Sequence, residues 1–117
     1  MTKRAMLCVF LVLTCTFSFL RDTAQAQNGQ SAELIAKYWP GNDQQALSVA
    51  RCESNYDESA RNGSHYGVFQ LSRRYHEHRA RELGYDWDSV AIDAGKNTRV
   101  AWSLYQDSGW GPWECRP

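Results

Sequence analysis

The chain has 117 residues, enough for one domain. Its 13 Lys and Arg balance 13 Asp and Glu, so no net charge draws it to nucleic acid or to an acidic surface. Aromatic residues make up 13%, five of them Trp, which excludes a disordered chain: such sequences lack the apolar area that offsets the entropy of ordering.

The first segment reads as an export signal. Lys3 and Arg4 give a positive start, Ala5 to Leu20 is an uncharged, largely apolar run, and Ala24-Gln25-Ala26 has the small-x-small form of a cleavage site. The run is about 16 residues, short of the ~20 a spanning helix needs. The expectation is a secretory signal peptide over 1–26 and one domain over 27–117. The protein is then secreted, periplasmic or extracellular, without stable membrane insertion after cleavage; an uncleaved anchor is the alternative. Cleavage removes Lys3, Arg4, Arg21 and Asp22 and leaves 91 residues with 10 basic and 12 acidic groups, a formal charge of −2. A chain of that size buries only ~60–65% of its unfolded surface, so a covalent staple helps. Cys52 and Cys115 remain, and in an exported protein they are expected to form one disulfide. The loop of about 60 residues it closes is worth ~4 kcal/mol in the chain-entropy model. Two free buried thiols are the alternative.

The elements follow in order. Residues 31–39 predict a short helix, with Leu34, Ile35 and Tyr38 on one face and Pro40-Gly41 ending it. Asn42 then reads as an N-cap, with Gln45 at the capping-box position. The helix after it places Ala46, Val49, Ala50 and Glu53 on one face, so a carboxylate ends the apolar stripe. Residues 57–67 predict a small irregular β-hairpin around the Asn62-Gly63 turn signal. Ser72 caps a third helix over 73–83 with a solvated face, stopped by Gly84. Residues 93–107 form the last long helix, with Ala94, Asn97, Ala101, Leu104 and Tyr105 on its buried side. An aromatic tail, Gly109 to Cys115, ties back to Cys52. Helices and strands do not alternate, which predicts a mostly helical α+β fold.

Glu53 is the chemical anomaly. Burial and the negative end of a helix dipole both disfavour its charged form. A carboxyl held protonated near neutral pH suits a general acid, which glycoside cleavage requires. The bland reading is an exposed or Arg51-paired glutamate.

The surrounding residues favour the first reading. Cys52-Glu53-Ser54-x-Tyr56-Asp57, then Ala60, then Tyr66-Gly67-Val68-Phe69-Gln70, resembles the signature of lysozyme-like lytic transglycosylases. The last helix is similar to that family's Asn-x-x-x-(Ala/Gly)-x-x-x-Tyr pattern through Asn97, Ala101 and Tyr105. A Cys directly before the Glu, paired with one in a Trp-rich tail, is similar to resuscitation-promoting factors, a secreted branch of the same superfamily. The resemblance covers residues 43–115. It implies a lysozyme-like fold with a hairpin beside the catalytic cleft and cleavage of the MurNAc-β-1,4-GlcNAc bond of peptidoglycan. It also implies Glu53 as the single acid and base, no cofactor, and a monomer whose partner is the glycan strand. Ser54, Tyr66, Gly67, Gln70, Tyr105 and Trp110 are the substrate-binding residues it suggests. Gly67 permits close backbone approach to a sugar, Gln70 hydrogen-bonds an acetamido or hydroxyl group, and Trp110 offers a stacking face. Tyr105 as a core residue is the competing reading, and Trp113 beside the disulfide reads as packing.

A second carboxylate separates mechanisms. C-type lysozymes carry an Asp directly before the Tyr-Gly-x-Phe-Gln segment; here that position is His65, to which no proton transfer is assigned. Single-carboxylate transglycosylases manage without it, because the muramyl 6-hydroxyl attacks intramolecularly and gives a 1,6-anhydro product. Asp57 and Glu58 are possible partners in the turn after Glu53. A hydrolytic muramidase and a non-catalytic glycan-binding module are the alternatives. His76-x-His78 has the wrong spacing for one helix face and Asp86-x-Asp88 lacks further ligands, so no metal site is expected. Asn62-Gly63-Ser64 forms a sequon that the turn alone explains.

Overall fold

The computed structural model describes the backbone of residues 2–117 and the side chains from residue 19 onward. The first helix, α1, spans Thr2–Tyr38, so the helix expected over 31–39 is the end of a longer one. Between Asp22 and Tyr38 there is no proline, and Ala, Gln, Glu, Leu and Lys all favour helix; Gly29 is the weak point, and a Cβ placed there would meet nothing within 4 Å. The export-signal reading concerns residues 1–26, of which Met1 and the side chains of 2–18 lie outside the described residues. Among the described residues no helix is long and apolar enough to cross a membrane.

Helix α2 spans Asp43–Ser54 and buries Ala46, Val49 and Ala50, the face the sequence marks. Its expected caps differ. Asn42 makes no side-chain capping bond, and the Gln45 side chain instead accepts a hydrogen bond from Trp110 Nε1 at 3.2 Å. At the other end Asn55 takes a left-handed conformation, φ 52°, and its N–H returns to the Arg51 carbonyl. Such a residue stops a helix and turns the chain away from its axis.

The expected hairpin is a three-stranded antiparallel sheet in sequential order: β1 (Arg61–Asn62), β2 (His65–Tyr66) and β3 (Leu71–Ser72). Asn62 pairs with His65, and His65 with Ser72. The third strand escapes a period-two reading because it is two residues long. Helix α3 covers Arg73–Glu82; Ser72 precedes it but, against expectation, makes no side-chain capping bond, and Gly84 lies beyond it at φ 81°. A single turn, α4 (Trp87–Val90), is also absent from the sequence reading; the Asp86 carboxylate caps it by accepting the Ser89 N–H. Helix α5 (Ala94–Ser108) begins at Asp93, whose side chain accepts the Lys96 N–H. The fold is mostly helical α+β.

Trp39 is the centre of the core. It is 1% exposed, stacks on Phe69 and Trp110 with centroids 5.4 and 5.2 Å away, and meets Trp102 and Tyr105 at 5.1 and 5.2 Å. Aromatic pairs of this kind add ~0.5–1.5 kcal/mol each beyond their burial. This column joins the end of α1, the loop before β3, α5 and the tail.

Asn97 is the polar counterpart. It is fully buried, accepts the Phe69 N–H at 3.0 Å, and donates to the Tyr66 and Val90 carbonyls at 3.1 Å each. Its carboxamide occupies the space a Cβ at Gly67 would take, 2.7 Å from the Asn97 Cγ, and Gly67 sits at φ 77°. Both facts require glycine there.

Candidate active site

The expected disulfide is present. Cys52 in the last turn of α2 bonds Cys115, 63 residues later, with Cα atoms 6.0 Å apart. This link brings the tail over the end of α2. The result is a cavity of about 250 Å³ beside Glu53, walled by Asn62 and His65 of the sheet, by Gln70, and by Pro112, Trp113 and Glu114 of the tail. A carboxylate at the end of an apolar stripe therefore stands on the wall of a cleft.

Burial is the main influence on Glu53 and pushes its carboxyl above the usual carboxylate range. The Cys115 N–H, donating to Glu53 Oε1 at 3.2 Å, opposes that rise by favouring the anion. The negative charge of Glu114 raises it further, and His65 acts weakly in the other direction. The net shift is upward, in the sense a proton donor needs.

Two strained loop residues complete the frame. Tyr56 has φ 62° and Gln70 has φ 49°, conformations that L residues seldom adopt. At Gln70 this bend aims Nε2 at two carbonyls, Gly67 at 2.9 Å and Ala60 at 3.1 Å. Ser54 Oγ donates to the Val68 carbonyl at 2.8 Å and so fastens α2 to the same loop. Trp113 is 5% exposed and donates from Nε1 to the Phe69 carbonyl at 3.0 Å. Its expected packing role and a place on the cavity wall coexist.

Of the residues proposed from sequence, the structure brings Glu53 and Gln70 to one cavity. Ser54, Tyr66, Gly67, Tyr105 and Trp110 do not line it. Ser54 and Gly67 shape the loop that carries Gln70. Tyr66 lies half-buried, edge-on to Trp87 with centroids 5.9 Å apart, and under the Arg61 guanidinium. Tyr105 and Trp110 belong to the aromatic column, 4.7 Å apart, which is the core reading of Tyr105. Neither candidate second carboxylate reaches the cavity. Asp57 accepts from the Ser59 N–H and hydroxyl, while Glu58 accepts from Gln27 and from the Ala94 N–H.

Glu114 is the carboxylate that sequence reasoning missed. The signal was available: a Cys52–Cys115 bond makes the neighbours of each cysteine, Glu53 and Glu114, neighbours of each other. His76 is a further perturbed group. It is half-buried on α3, and burial, with the Arg79 charge as the next cause, pushes its imidazole down to about 4. Among the described residues no cluster of three or more His, Cys, Asp or Glu is arranged to hold a metal ion.

No family model, no curated protein and no solved structure matches the chain.

Proposed function

We propose that this protein is a secreted peptidoglycan lytic transglycosylase on a lysozyme-like fold, cleaving the MurNAc-β-1,4-GlcNAc bond with Glu53 as the acid and base. One observation carries the reading: a carboxyl with a raised pKa stands at the end of a buried helical face and on the wall of a polar cavity. A cleft that served binding alone gains nothing from a partly desolvated acid, which costs stability when ionised. The resemblance of the Glu53-Ser54 and Gly67 to Gln70 segments to the family motif supports the same assignment. In this mechanism Glu53 protonates the glycosidic oxygen, and the resulting carboxylate then accepts the proton of the muramyl 6-hydroxyl as that oxygen closes on the anomeric carbon. The disulfide supports the exported setting, since such bonds persist in oxidising compartments.

The deciding experiment is mass spectrometry of purified peptidoglycan after digestion. Fragments ending in 1,6-anhydro-muramic acid are the expected product. Reducing ends identify a hydrolytic muramidase instead, and an intact polymer that still retains the protein identifies a binding module.

A further inference from the structure

Glu114 lines the Glu53 cavity, and among the described residues its carboxylate has no hydrogen-bond donor and no ion-pair partner. It stands directly before Cys115, so the disulfide that fixes the Cys115 N–H on Glu53 also fixes the backbone of Glu114 beside the same cavity. The other acidic residues near Glu53 in sequence are committed elsewhere: Asp57 to Ser59, and Glu58 to Gln27 and the start of α5. Two carboxylates on one cavity wall repel: the Glu114 charge works against ionisation of Glu53, and His65 on the same wall opposes it only weakly. A cationic centre entering the cavity would meet the negative charge of Glu114.

We propose that Glu114 is a second catalytic carboxylate of this cleft, stabilising the positive charge that develops on the muramyl ring as its glycosidic bond breaks. The inference rests on the transglycosylase reading of the Glu53 site. In the step it assists, the Glu53 proton passes to the glycosidic oxygen, and the C1–O bond breaks with its electron pair staying on that oxygen. The positive charge left on C1 and the ring oxygen faces Glu114. The muramyl 6-hydroxyl oxygen then bonds C1, and its proton goes to the Glu53 carboxylate, restoring the acid. Glu114 exchanges no atom and no proton.

The test is the steady-state cleavage of soluble glycan strands by the wild type, Glu53→Gln, Glu114→Gln and Glu114→Asp. Glu114 is exposed, so these variants should fold, and equal melting temperatures verify it. Glu114→Gln is expected to lower kcat by ~10²-fold with KM little changed, the usual cost of removing one electrostatic stabiliser of a transition state. Glu114→Asp should restore part of the rate. The pH profile supplies a readout that packing would not move. His65 on β2 and Glu114 on the tail are the charged groups facing Glu53; Asn62, Gln70, Pro112 and Trp113 complete the wall without charge. Removing the Glu114 charge makes Glu53 ionise more easily, so the alkaline limb of the rate should move to lower pH. Full kcat and an unmoved limb in Glu114→Gln, with Glu53→Gln inactive, overturn this inference and leave the transglycosylase reading standing. A wild type that cleaves no glycan overturns both.

Discussion

Glu53 and Cys115 are joined twice: the Cys115 N–H donates to Glu53 Oε1, and the Cys115 sulfur bonds the residue immediately before Glu53. The tail thus holds the proposed catalytic carboxyl by one oxygen and leaves the other to the cavity. The site consequently depends on the covalent link as much as on the helix that carries the acid.

Glu53→Gln preserves shape and keeps an oxygen for the Cys115 N–H, but it cannot donate and recover a proton. Peptidoglycan cleavage is expected to fall by ~10²–10⁴-fold, the contribution of a positioned acid–base group. The melting temperature should hold or rise, because the amide avoids the desolvation cost of the carboxylate. In the wild type, the upward shift of Glu53 extends the protonated, active form toward neutral pH, so activity should decline as pH rises through the Glu53 pKa. Residual activity near the wild-type level in the glutamine variant counts against Glu53 as the acid.

Replacing Cys52 and Cys115 with serine should cost ~2–4 kcal/mol of stability, read from chemical denaturation, because the unfolded chain regains the freedom of a long loop. Activity should fall further than stability does at a temperature where the variant remains folded. Pro112, Trp113 and Glu114 form one wall of the cavity and lose their anchor beside Glu53.

Asn97→Leu removes three hydrogen bonds in a fully buried position and strands the Tyr66 and Val90 carbonyls and the Phe69 N–H. A loss of ~3 kcal/mol or more is expected, since each stranded buried group costs about 1–3 kcal/mol. Gly67→Ala should be comparably damaging, as its Cβ meets the Asn97 carboxamide and its φ is 77°. Thermal unfolding of the two variants checks both.

His76 gives stability a pH dependence. Its folded pKa lies at about 4, below the ordinary 6.5, so between these values the unfolded chain binds the proton more readily. Stability is therefore full above pH 6.5 and declines as pH falls toward 4, by on the order of 1 kcal/mol once solvent screening of a half-exposed ring is allowed for. The difference in melting temperature between wild type and His76→Gln should be constant above pH 6.5 and shift against the wild type as pH falls from 6.5 to 4, since glutamine takes up no proton. A constant difference across that range would exclude this assignment.

Helices α2, α3 and α5 were legible because their signals are local, whereas of α1 only the last turns were read. The Ala46, Val49, Ala50 stripe and the Gly84 stop are written in the spacing of neighbours, and so was the anomalous position of Glu53. The cysteine pairing needed only that Cys52 and Cys115 are the two cysteines beyond the segment read as an export signal. Residues whose roles arise from distant contacts were less visible. Gln45 looks like a capping-box residue until Trp110, 65 positions away, donates to it. Trp110, read from sequence as a sugar platform, turns one face to Trp39, which lies parallel against it at an interplanar angle of 7°. β3 and α4 are too short for any periodicity to register. Glu114 carries no local pattern, and its place beside Glu53 follows only from carrying the Cys52–Cys115 pairing one residue further on each side.

The left-handed bend at Gln70 sets the polarity of that side of the cleft. Both hydrogens of its amide are committed to the Gly67 and Ala60 carbonyls, so the side chain has no donor left to offer. Its oxygen alone remains, and an oxygen of this kind accepts. A ligand group meeting Gln70 must therefore bring a hydrogen: the N–H of an acetamido group or a hydroxyl suits it, while a carboxylate or the acetamido carbonyl is turned away. Under the proposed transglycosylase reading, a sugar that entered the cleft with its amide reversed would lose that contact.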